Sequence, residues 1–129
     1  MLIESNDSKV YRVQDENGRG PFKPGFSKHW VEERKDHKNL KPWMEEFPEA
    51  YEQISRGLRF CGIGCLTVKQ LQRWFTPAEY STLLKFGYEA VAMEAMVIAY
   101  SDTQCVFQRV KPLNEDVEVL SLYSEVVQT

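Results

Sequence analysis

Two helix-start signals close together in the middle of the chain limit its folding options more than any other feature. Thr76-Pro77-Ala78-Glu79 sets a hydroxyl, a proline and, three residues after the hydroxyl, a carboxylate. That is the pattern of a capping box with proline at the first helical position. Thr67-Val68-Lys69-Gln70 fits a capping box as well. Leu71, Trp74 and Phe75 follow the first box at helical spacing, and Tyr80, Leu83 and Leu84 form an apolar stripe behind the second, which Gly87 ends. The chain must turn sharply at Phe75–Pro77, so both helices are short.

Strand patterns flank this helical centre. Lys9–Val13 (KVYRV) alternates β-branched and aromatic residues with polar ones and runs into the turn signal Asp15-Glu16-Asn17-Gly18. Three glycines and two prolines between Gly18 and Ser27 exclude a regular helix and predict a shaped loop. Residues 31–41 are nearly all polar and read as an exposed connection. Pro48–Arg56 predicts a short helix stopped by Gly57, and Leu58–Cys65 a strand interrupted by Gly62 and Gly64. Tyr88–Met93, Gln104–Val110 and Val117–Tyr123 predict further strands, while Glu94–Tyr100 mixes helix and strand formers. Strands at both ends with helices between them give an α+β fold with a mixed or antiparallel sheet. At 129 residues the expectation is one domain over 1–129.

Charge and cysteine content narrow the function classes. The net charge is −3, which disfavours a protein that coats a nucleic-acid backbone, since such proteins are usually basic. The first 41 residues hold nine basic against seven acidic side chains, and residues 90–129 hold two against six. The N-terminal third therefore suits an anionic ligand, while the tail is acidic. No apolar run approaches the ~20 residues of a membrane span, and the N-terminus lacks the apolar stretch of a signal peptide. Three cysteines, an odd number, fit reduced thiols and a cytoplasmic location.

Few motifs carry chemistry by themselves. Cys61-x-x-x-Cys65 has tolerable metal spacing, but the two histidines, His29 and His37, stand far off in sequence, so no metal is expected. Gly18-Arg19-Gly20 and Gly62-Ile63-Gly64 match neither a P-loop nor the dinucleotide fingerprint. Arg12 is more telling. Alternation puts it opposite Tyr11 and Val13 on a strand, and a buried arginine requires a partner. Gln104 stands after the turn Ser101-Asp102-Thr103, at the mouth of an apolar strand.

This arrangement resembles the ADP-ribosyltransferase superfamily. Arg12 in Val-Tyr-Arg-Val matches the first-strand residue that helps hold NAD, Cys65-Leu66-Thr67 the middle-strand position, and Asp102-Thr103-Gln104 the opening of the late catalytic strand. The resemblance implies a split sheet, NAD as cofactor, and transfer of ADP-ribose to a macromolecular target. It gives Gln104 and Arg12 catalytic positions and gives Arg12, Arg19, Gly20, Phe22 and Thr67 to the cofactor. Gln104 replaces the family's glutamate, so the hydrogen bond is kept and the charge is lost.

The chain also resembles small proteins of bacteria and their phages. That resemblance implies a non-enzymatic alternative, a phage-encoded inhibitor or adaptor that binds a host protein complex, such as an anti-CRISPR or other anti-defence protein. An acidic surface that imitates nucleic acid can occupy a basic groove. Glu115, Asp116, Glu118 and Glu125 would form the contact. Either reading leaves a protein partner, no membrane and no direct nucleic-acid binding.

Overall fold

The computed structural model describes residues 8–22, 25–31, 40–55 and 60–123. Its elements are β1 (Ser8–Gln14), α1 (Trp43–Glu46), α2 (Pro48–Ser55), β2 (Cys61–Gly64), α3 (Val68–Trp74), α4 (Pro77–Lys85), β3 (Glu89–Tyr100), β4 (Cys105–Gln108) and β5 (Glu118–Leu120). The fold is α+β, and every strand pairing is antiparallel.

β3 organises the sheet. One edge of its first half pairs with β1, from Ser8↔Ala95 to Gln14↔Glu89. The same half also pairs with β5, and the second half pairs with β4. The register shifts between Val97 and Ala99, an irregularity of the kind that bends and twists a strand. β4 then pairs with β2. Two 2.8 Å backbone hydrogen bonds between Tyr11 and Cys65 return β2 to β1. The sheet therefore curls into a half-barrel, and the two halves of the suspected split sheet are one sheet joined through β3.

Alternation sorts two apolar layers. Val10, Val91, Met93, Val97, Cys105 and Phe107 fill one face of the curled sheet. Val13 and Ala90 face the other way and pack with Leu71, Phe75, Tyr80 and Leu83 from the α3–α4 region. The Thr76 box forms in full, with Thr76 Oγ1 accepting from the Glu79 amide (3.1 Å) and Glu79 Oε1 from the Thr76 amide (2.9 Å). The Thr67 box forms by half. Thr67 Oγ1 accepts from the Gln70 amide, but Gln70 Oε1 takes the Leu66 amide instead of that of Thr67.

Several elements differ from the sequence expectation. Glu94–Tyr100 is strand, because β4 offers it a ladder that local propensity does not reveal. β5 is limited to three residues, and α1 was not expected. Leu84 is exposed at 47%. Glu79, Tyr80 and Leu83 occupy the buried face of α4, and one further helical step carries Leu84 past it. Residues 56–59 of the expected second helix and strand, and 32–39 of the polar connection, lie outside the described residues.

Candidate functional site

The Tyr11–Cys65 bridge is the pairing between β1 and β2 among the described residues. Beside it lies a cavity of about 680 Å³. Arg12 and Val13 line it from β1, and residues 61–65 from β2 and its end. Phe22, Trp74 and Phe75 contribute an aromatic wall, while Trp43 and Met44 come from α1. Phe22 is 56% exposed and marks the solvent side, whereas Arg12 (7%) and Gln104 (2%) sit deep. Phe22 packs edge-on against Trp30 at 5.0 Å and Trp74 at 5.9 Å between ring centroids.

Arg12 is placed by strand alternation and by two glycines. A Cβ on Gly62 would collide with Arg12 Nη1 and come within 2.8 Å of Phe107 Cζ, and a Cβ on Gly20 would stand 3.3 Å from Nη2. The guanidinium carbon lies 5.7 Å from the centroid of the Phe107 ring, within range of a cation–π attraction. Its Nε and Nη1 are buried and have no hydrogen-bond partner. Burial lowers its pKa to about 10, against an opposing pull from Asp15.

Gln104 precedes β4, and its amide group is committed. Nε2 donates to Lys41 O at 2.8 Å and to Glu46 Oε1 at 2.6 Å. Thr103 Oγ1 donates to the same carboxylate oxygen at 3.0 Å. Glu46 thus ties α1 to the β3–β4 turn and puts a negative charge beside Gln104. Sequence reasoning missed Glu46, because 58 positions separate it from Gln104 and no local pattern marks it.

The other residues assigned from sequence divide. Gly20 and Phe22 line the cavity. Arg19 is exposed, and its backbone closes the turn with Asp15. Thr67 is also exposed, and its hydroxyl is occupied as the cap of α3. Neither belongs to the cavity lining.

Cys61, Cys65 and Cys105 are thiols outside any disulfide. Burial raises the pKa of all three, that of Cys105 to about 12. A raised pKa suppresses the thiolate, the form that acts as a nucleophile. Among the described residues no three His, Cys, Asp or Glu side chains gather in a way that could hold a metal ion. His37 lies outside those residues. No helix among them is long and apolar enough to cross a membrane. In the acidic C-terminal segment, Asp116 pairs with Lys111 and Glu118 with Lys9, while Glu125 lies outside the described residues.

The half-barrel and its cavity define a small α+β protein with a preformed, ligand-sized hollow beside a buried, unsatisfied arginine. A family model described as Bacteriophage T4 Y00F protein matches residues 3–119, and the chain belongs to that family. No curated protein and no solved structure matches the chain.

Proposed function

We propose that this protein binds a small molecule of the NAD or ADP-ribose type in the cavity beside β1 and β2. The observation that carries the reading is Arg12, a buried cation lining the cavity with Nε and Nη1 unpartnered. Leaving such donors unsatisfied costs about 1–3 kcal/mol, a cost that an anionic ligand group would offset. The ligand's planar ring would lie among Phe22, Trp74 and Phe75.

The geometry around Gln104 suits binding better than transfer. Both hydrogens of the Gln104 amide serve Lys41 and Glu46, which leaves none for a ribose hydroxyl. The carboxylate that stands beside Gln104 is Glu46. It is the group that would supply negative charge to a developing cation if ADP-ribose is transferred to a macromolecular target.

Calorimetry with NAD and with ADP-ribose tests the proposal. Saturable binding that Arg12→Met weakens by at least about tenfold is the expected result. No heat at about 10 mM ligand, or equal affinity in Arg12→Met, would reject it. The second reading is a phage-encoded inhibitor or adaptor of a host protein complex, of which the family match supports the phage origin alone. The lysine pairing at Asp116 and Glu118 weakens the acidic face that it needs.

A further inference from the structure

At the Gln14 end of β1 lies a second cleft, of about 350 Å³. Its charged lining is Asp15, Glu16 and Glu89, and no lysine or arginine lines it among the described residues. Tyr88, Leu84, Val91, Val117 and Val119 supply apolar walls. Gln14 and Glu89 are direct cross-strand partners, so their side chains share one face. Gln14 is 3% exposed, and its Nε2 donates to Leu113 O at 2.8 Å. Its Oε1 is buried and has no partner. The amide is oriented by the Leu113 bond, which leaves the oxygen as the end still lacking a donor. Asp15 is fixed as well, because Oδ1 accepts the amides of Asn17 and Arg19 at 2.9 Å each.

We infer that this cleft takes the cationic tip of an aliphatic chain, an ammonium or guanidinium group, with Gln14 Oε1, Glu89 and Asp15 as its acceptors. A cation that donates hydrogen bonds would satisfy the buried amide oxygen and the acidic lining together. The stem would lie on Leu84, Val91 and Val119. A bare metal ion fits less well, because no three carboxylates of the described residues converge on one point. Arg12 does not oppose the ligand directly, since its guanidinium is packed against Gly20, Gly62 and Phe107. The inference does not depend on the cavity beside β2.

Nuclear magnetic resonance of the full ¹⁵N-labelled chain tests it, with agmatine as the probe. The expected result is saturable shifts at the amides of Gln14, Glu89 and Val119 and at the Gln14 side-chain NH₂. Glu89→Gln should weaken binding by about tenfold. Gln14→Met should abolish it. If Gln14→Met fails to fold, Glu89→Gln decides, because Glu89 is an exposed position at the start of β3. N-acetyl-arginine methylamide binding as well as agmatine would assign the cleft to a protein side chain, and binding of agmatine alone would assign it to a free amine. Either outcome supports the inference. Absence of saturable shifts up to about 10 mM, equal shifts with uncharged 1-hexanol, or unchanged affinity in Glu89→Gln would overturn it.

Discussion

Arg12 is costly where it stands, and the cost has a sign that can be measured. Burial lowers its pKa to about 10 in the folded chain, below that of the free side chain. The unfolded chain therefore binds the proton more tightly. Below about pH 10 the penalty is present in full, and it is relieved as pH rises from there toward the higher pKa of the unfolded chain. Arg12→Met removes the charge and the orphaned donors while keeping a long side chain. We expect it to stabilise the protein by about 1–3 kcal/mol at pH 7 in urea titrations, with a smaller gain above pH 10. A less stable variant would mean that the contact with Phe107 outweighs burial, and that Arg12 is structural. The sequence placed Arg12 on a strand, opposite Tyr11 and Val13, but left open whether it is buried or a surface residue, and the structure buries it. Glu46 was not readable, since its bonds to Thr103 and Gln104 span the chain.

Among the elements, those set by contacts within four residues were the most legible. The Thr76 box holds both of its reciprocal bonds, and Pro77 and Gly87 bound α4 as local chemistry requires. The chain passes φ +88° at Gly87, where a side chain would be strained. Strand lengths were less legible, because a ladder depends on a partner elsewhere in the chain. The ambiguous Glu94–Tyr100 became strand through β4, and the expected Val117–Tyr123 shrank to the residues that β3 can pair. The cavity inherits the same limit. Gly20 and Phe22 were placed by a loop beside β1, whereas the Thr67 hydroxyl is taken by its cap bond and the Arg19 side chain is exposed outside the cavity lining. Thr76→Ala should cost about 1–2 kcal/mol in thermal melts, and Thr67→Ala less, because only half of its box is made. Equal losses would show that the reciprocal Glu79 bond adds nothing.

For the molecule as a whole, stability should be uneven around the half-barrel. At Ala90–Ala92, β3 is paired on both edges, with β1 and with β5. The contact between β1 and β2 rests on the two Tyr11–Cys65 hydrogen bonds, and the cavity opens directly beside them. Openings that cost less than global unfolding concentrate where few bonds and few buried contacts must break. The amides of Tyr11 and Cys65 should therefore exchange with deuterium faster than those of Val91 and Ala92, although Cys65 is as buried as either. A ligand in the cavity touches β1 and β2 together, so it must be released before the seam opens. At 100 times its dissociation constant it would add about 2.7 kcal/mol to the protection of both seam amides. If Tyr11 and Cys65 are already as protected as Val91 without ligand, the half-barrel behaves as a closed unit. The cavity would then be a rigid hollow, not a site whose occupation is coupled to the closing of β1 against β2.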